Sequence, residues 1–271
     1  MCGIAGKVYR DPARPVEVGV LRAMCGAMAH RGPDDEQLFL DAGVGLGMRR
    51  LAVIDLAGGR QPMASEDKRV RAICNGEIYN FRALREELLA GGHRLETRSD
   101  VEVLPHLYER EGAGCVARLR GMFAFALWDA GARRLVLARD RLGKKPLVYA
   151  PLPDGLVFAS ELSALLLDPA VDRTLDLEAL DAYLRCQAVP APRTIYRGVR
   201  KLPPGHLLVW EDGRLRSEPY WRLDFTRKAA ARPEERRARL RELLTESLRL
   251  RLVSDVPLGV LLSGGVDSTT L

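Results

Sequence analysis

Cysteine is sparse in this 271-residue chain: five residues, at positions 2, 25, 74, 115 and 186. The count is odd and no two lie at metal-knuckle spacing, which argues against a disulfide framework and against a cysteine-based zinc site. Long apolar runs are missing too. Met122–Trp128 and Val256–Leu262 reach only seven residues, whereas a membrane-spanning helix needs roughly 18 or more. The opening MCGIAGKVYRDPARP becomes charged at Lys7 and holds no apolar core of signal-peptide length. Repeats, low-complexity tracts and the GxxxxGK[ST] phosphate loop are absent as well. Hydrophobic residues at 47% and charged residues at 29% are ordinary globular usage and exclude a fibrous or disordered chain. A soluble, cytoplasmic protein of one large or two ordinary domains is expected.

The net charge of +6 is concentrated in residues 227–251, which hold nine Lys/Arg against four Asp/Glu. There Leu240, Leu243, Leu244 and Leu248 form one stripe behind Pro233, so the segment reads as an amphipathic helix packed on its leucine side with a basic solvated face. With 36 arginines to six lysines and no reading motif, the charge is a weak footprint for nucleic acid. Neither nucleic acid nor membrane is expected as a partner.

The first 160 residues alternate short strands with a few helices. Helical spacing runs over Leu21–Ala29 and Phe81–Ala90, the latter closed by Gly91-Gly92. Strands are expected at Gly43–Ile54 and Val70–Cys74, as a pair at Met122–Trp128 and Arg134–Ala138, and as a further pair at Leu147–Tyr149 and Leu156–Ala159. Beyond them come a helix at Leu177–Leu184 and a hairpin of His206–Trp210 with Arg214–Tyr220 across Asp212-Gly213. The basic helix then leads to a buried strand at Leu258–Leu262. The character of the chain changes near residue 225.

Four sets of residues carry chemistry. Cys2 would become the terminal residue if Met1 were removed, and thiol and α-amine would then sit on one residue as nucleophile and base; a cysteine at this position also occurs by chance. Asn75-Gly76-Glu77-Ile78-Tyr79-Asn80 follows a strand and could aim a side-chain amide and a backbone N–H at a developing oxyanion, or could be an ordinary Asn-Gly turn. Arg50, Glu77 and Asp100 have the charges to hold an amino-acid zwitterion, or are solvated surface groups. Ser263-Gly264-Gly265-Val266-Asp267-Ser268, at the end of the expected last strand, suits a phosphate.

Together these segments resemble the glutamine-hydrolysing asparagine synthetases, within the class II (N-terminal cysteine) amidotransferases. The resemblance rests on Met1–Gly6, His30–Asp34, Arg50–Asp55, Asn75–Asn80, Ser99-Asp100, Gly121–Asp129, Arg139–Leu147, Phe158–Glu161, Pro204-Gly205 and Ser263–Ser268, in order along the whole chain. It implies an α+β fold: a four-layer α/β/β/α N-terminal-nucleophile domain over residues 1–225, then the first helix and strand of an α/β adenine-nucleotide domain over 226–271.

It also implies roles. Cys2 would be the glutaminase nucleophile, and Asn75 and Gly76 its oxyanion hole. Arg50 would hold the glutamine carboxylate, Leu51, Ala52, Val53 and Ile54 would line the pocket, and Glu77 and Asp100 would hold the amine. No metal ligand is assigned, and the glutaminase half needs no cofactor. In the family, ammonia passes through a tunnel to a domain where ATP and Mg²⁺ activate aspartate as an adenylate. Ser263, Gly264, Gly265, Asp267 and Ser268 match its pyrophosphate loop, and Leu261 a residue near the adenine. Because that domain continues far beyond the loop, the chain is expected to hold a whole glutaminase half and only the entrance of the synthetase half. A homodimer is left open. An amidotransferase with a different ammonia acceptor, or a non-catalytic short subunit, are the alternatives.

Overall fold

The computed structural model describes residues 1–226, 228 and 230–271. In chain order, β1 (Gly3–Tyr9) leads through α1 (Val18–Ala27) to the hairpin of β2 (Asp35–Asp41) and β3 (Val44–Arg50). A short β4 (Met63–Ala64), then β5 (Val70–Ile78), α2 (Phe81–Ala90) and α3 (Val103–Glu111) follow. A 3₁₀ turn (Gly112–Arg118) precedes β6 (Gly121–Asp129), β7 (Arg134–Arg139), β8 (Val148–Leu152), β9 (Gly155–Ala159), α4 (Leu162–Leu165) and α5 (Leu177–Cys186). The chain continues with β10 (Arg200–Lys201), β11 (His206–Glu211), β12 (Arg214–Pro219), α6 (Pro233–Arg251) and α7 (Val266–Thr270).

The strands form two six-stranded antiparallel sheets, ordered β10-β8-β9-β1-β3-β2 and β12-β11-β7-β6-β5-β4. Strand alternation explains how they stack, because successive side chains leave a strand on opposite faces. Along β6, Ala124, Ala126 and Trp128 meet Ile4, Val8, Leu46 and Met48 of the other sheet. The intervening Phe123, Phe125 and Leu127 pack under α2 and α3, against Phe81, Leu84, Leu104 and Leu107. On the far side, Ala5, Val157 and Ala159 lie beneath Leu21, Met24 and Cys25 of α1 and Leu165 of α4. The result is the expected α/β/β/α sandwich with three apolar layers.

The hairpins β6–β7, β8–β9 and β11–β12 and helix α2 stand where their residues placed them. Two expectations fail beyond residue 225. Leu258–Leu262 forms no strand, and Val260, Leu261 and Leu262 are exposed, Leu261 to 96%. A buried parallel strand needs neighbours on both sides, and among the described residues no strand pairs with it. Helix α6 does form, with Pro233 in its first turn and the Glu235 carboxylate accepting from the Arg232 amide at 3.0 Å, but none of its residues is buried. Its leucine side is therefore not packed as expected: Leu240 and Leu243 stay exposed. The helix meets the body through polar contacts, a 2.7 Å ion pair of Glu246 with Arg120 and the Arg251 guanidinium 4.4 Å above the Tyr79 ring.

Candidate active site

A cavity of about 120 Å³ opens at one end of the gap between the sheets. Its walls come from Cys2 just before β1, the end of β3 (Arg50) and the loop after it (Leu51, Val53, Ile54), β5 (Asn75, Gly76, Glu77), the loop before α3 (Asp100) and Lys145. Alternation puts them there. Cys2 shares the inner face of its sheet with Ile4, and Asn75 and Glu77 share the inner face of β5 with Ile73.

The Cys2 sulfur lies 3.4 Å from the Leu51 amide and 3.7 Å from the Leu51 carbonyl. Its backbone is fixed from behind. Arg31 Nε donates to the Cys2 carbonyl at 2.9 Å and is itself held by Glu161 at 2.8 Å, while Ser160 exchanges hydrogen bonds with Ile4. The segments His30–Asp34 and Phe158–Glu161 thus frame the cysteine. Burial pushes the Cys2 thiol up from its ordinary range, against the charges of Arg50 and Lys145, and burial pushes the Met1 amine down, helped by Lys145 and Arg31.

Asn75 is fully buried, yet neither its Nδ2 nor its Oδ1 has a hydrogen-bond partner. A buried amide left unpaired costs roughly 1–3 kcal/mol, so an Asn amide facing a cavity is poised for a ligand. Gly76 beside it admits no side chain: a Cβ would fall 2.0 Å from the Met122 carbonyl oxygen of the neighbouring β6, on backbone at φ +154°. Asn75 and Gly76 are thus a strand position with close backbone approach. The Asn-Gly turn is excluded, since both residues pair in register with Ala124 and Phe123.

Arg50 is 6% exposed and its guanidinium donates to the carbonyls of Ile54, Asp55 and Leu56 at 2.7–3.2 Å. No carboxylate lies within ion-pair reach of it among the described residues, so its charge is free to meet an anion. Gly59 makes room, since a Cβ there would lie 2.3 Å from Arg50 Nη2. Opposite, Asp100 is buried and accepts from the Ile78 amide at 2.8 Å. Burial, reinforced by the Glu77 charge, pushes its carboxyl up to about 7, and burial pushes Glu77 up as well. Asp55 ties the two walls, accepting from the Arg98 amide at 2.8 Å on the loop that leads to Asp100.

Of the expected pocket residues, Ala52 does not line the cavity; its amide is held by Asp34 at 2.8 Å. Leu261, Ser263, Gly264 and Gly265 lie apart from this pocket on the exposed segment that enters α7, and Asp267 and Ser268 in the first turn of α7, with the Ser263 and Ser268 hydroxyls 3.0 Å apart. Sequence reading gave no role to Lys145, a buried cation at the cavity with no ion-pair partner among the described residues, nor to Gly59. Within Gly143-Lys144-Lys145-Pro146 nothing marks one lysine as buried.

A four-layer body whose second-residue cysteine faces the gap between two antiparallel sheets defines the N-terminal-nucleophile class. The comparisons agree. Residues 1–221 match the model of the glutamine amidotransferase domain, and residues 239–271 match that of asparagine synthase. Asparagine synthetase [glutamine-hydrolyzing] 1 of Bacillus subtilis is 38% identical over 99% of this chain, and the chain spans 43% of its length. An amidase, chyE, of Penicillium rubens is 35% identical over 90% of the chain, which spans 36% of it. Among solved structures, the glutamine phosphoribosylpyrophosphate amidotransferase of B. subtilis superposes with a TM-score of 0.60 at 21% identity over 81% of this chain and 49% of its own, a likeness of fold. The chain belongs to the glutamine amidotransferase domain family of enzymes.

Proposed function

We propose that this chain hydrolyses the side-chain amide of glutamine at Cys2. Residues 1–225 are read as the unit that does so, and 226–271 as the opening of an ATP-dependent domain that passes ammonia to aspartate. The observation that carries the reading is the unpartnered, buried amide of Asn75 in the cavity that Cys2 faces. With Met1 removed, the Cys2 amine takes the thiol proton as sulfur attacks the amide carbon, and the carbonyl oxygen becomes an oxyanion. The Asn75 Nδ2–H and the Gly76 N–H stabilise it. The amine returns the proton to the leaving nitrogen, ammonia departs, and water cleaves the thioester to glutamate. Arg50 holds the α-carboxylate, and Asp100 and Glu77 the α-ammonium. A cytoplasmic location belongs to the reading, because the nucleophile must remain a reduced thiol.

The donor set of the Ser263–Ser268 loop, two hydroxyls and glycine backbone with Gly264 at φ +78°, fits a polyphosphate. Leu261 and Asp267 are proposed beside it. ATP with Mg²⁺, when bound, would supply the driving force for joining ammonia to a carboxylate. Aspartate as acceptor is favoured by the 38% identity to asparagine synthetases, and the similarity to an amidase supports a different acceptor as the second reading. The test is glutamate release. Cys2→Ala, and protein with Met1 retained, lose several orders of magnitude, whereas Cys25→Ala does not. Free glutamine is turned over and N-acetylglutamine is not; equal turnover of the two would remove Asp100 and Glu77 from the site.

A further inference from the structure

Four side chains outside the pocket converge on one point. Glu66 stands in the turn between β4 and β5, His93 just after α2, and His106 and Glu109 one turn apart on α3. His93 Nδ1 and His106 Nδ1 each lie 3.1 Å from a different oxygen of Glu66, and 4.0 and 3.9 Å from Glu109 Oε2. All four ligand atoms fall within 4.8 Å of one another. We propose that this cluster is a binding site for a borderline divalent cation of the Zn²⁺ class.

Tetrahedral zinc with bonds of about 2.0–2.2 Å to nitrogen and oxygen sets its ligands roughly 3.3–3.6 Å apart. Each Nδ1 is already that close to one Glu66 oxygen, Oε1 for His93 and Oε2 for His106, and turning the Glu66 carboxylate while drawing in Glu109, whose Oε2 is 3.9–4.0 Å from both nitrogens, brings one oxygen of each acid into the set. The chemistry suits the same ion. Two imidazoles and two carboxylates are a borderline N₂O₂ set, and two negative charges balance a divalent cation. The two rings meet edge to face, 5.4 Å between centroids and 65° between planes, as adjacent ligands of one ion can. Glu66 is oriented from outside by the Arg94 amide at 2.9 Å, the kind of outer hydrogen bond that positions a ligand. Glu66, His93 and Glu109 have 34, 19 and 19% of their side chains exposed, so an ion can enter, while His106 is buried. None of the five cysteines takes part.

The placement gives the site a consequence. His93 and His106 bracket in sequence the segment that carries Asp100, so a bound ion fastens both ends of that segment to the Glu66 turn. The inference is independent of glutamine hydrolysis.

The test uses the untagged, chelator-stripped 271-residue chain, titrated with Zn²⁺ by calorimetry and with Co²⁺ by absorption. One equivalent of Zn²⁺ binds and raises the melting temperature, and Co²⁺ gives ligand-field bands without thiolate charge transfer. His93→Ala and Glu109→Gln, both at partly exposed positions and checked for native circular dichroism, bind about 100-fold more weakly or worse, since loss of an outer-shell partner alone costs 10–100-fold. Cys2→Ala binds as the parent does. Failure of the folded parent to bind Zn²⁺, undiminished binding in both variants, or a thiolate spectrum abolished by Cys2→Ala would each overturn the proposal.

Discussion

Asn75 and Asp100 make the pocket chemically unusual, because each is buried in a state that water would not leave alone. Asn75 has an amide with nothing to bond. If its Nδ2–H faces the oxyanion, Asn75→Ala lowers kcat by about 10²–10³-fold, as expected for loss of one such donor, with KM little changed. A loss confined to KM would instead make Asn75 a ground-state contact. Asp100 has a carboxyl pushed up to about 7, first by burial and then by Glu77. Below that value the free pocket holds it protonated and unable to pair with an ammonium. Ionisation restores the pair, so kcat/KM for glutamine rises as pH increases through about 7, and Asp100→Asn flattens that limb at a low plateau. A limb unchanged in Asp100→Asn would assign the titration elsewhere.

At the scale of elements, the loop after β3 is the part of the site that residue patterns described least well. Alternation suggests a strand to Ile54, but β3 ends at Arg50 because the Arg50 guanidinium gathers the carbonyls of Ile54, Asp55 and Leu56 around itself. Asp255, beyond α6, pins the same loop: its amide donates to the Val53 carbonyl at 2.9 Å and its carboxylate accepts from the Asp55 amide at 2.7 Å. Asp255→Ala therefore raises KM for glutamine roughly two- to tenfold, the worth of one hydrogen bond, at nearly constant kcat, and Asp255→Asn recovers most of it. An unaltered KM would show that the contact does not shape the pocket. Strands with clean two-residue alternation, such as β6 and β7, and the glycine-stopped α2 were legible because local pattern and burial coincide. Helix α3 was not: Val103–Tyr108 are all buried, which erases the polar stripe, and Pro105 in its first turn reads as a breaker although that position tolerates it. Strand β2, with Asp35, Glu36 and Asp41 at its ends, lacks an apolar signature because it forms a sheet edge.

Across the whole molecule, the pocket draws on residues from Cys2 to Lys145 because two stacked sheets bring the start of β1 and the middle of β5 to the same end of one gap. The resemblance named Cys2, Arg50, Asn75, Gly76, Glu77 and Asp100, and the fold brings them into one cavity. Lys145 stayed hidden because a lysine buried by tertiary packing looks, in sequence, like any solvated one. The Glu66–Glu109 cluster stayed hidden because its members come from three elements and only His106 and Glu109 carry helical spacing. Residues 226–271 were legible as a helix and a Ser/Gly loop but not as a packed unit, since the leucines of α6 and Val260–Leu262 find no cover among the described residues. Everything proposed for the pocket depends on Cys2 being the nucleophile that glutamine meets. The most direct measurement is peptide mapping after treatment with an electrophilic diazoketone analogue of glutamine. One equivalent should be found on Cys2, at a peptide lacking Met1, with glutamine slowing the labelling and Arg50→Ala weakening it. Label on Cys25, Cys74, Cys115 or Cys186 instead, or glutamate release that continues once Cys2 is fully modified, would contradict the assignment.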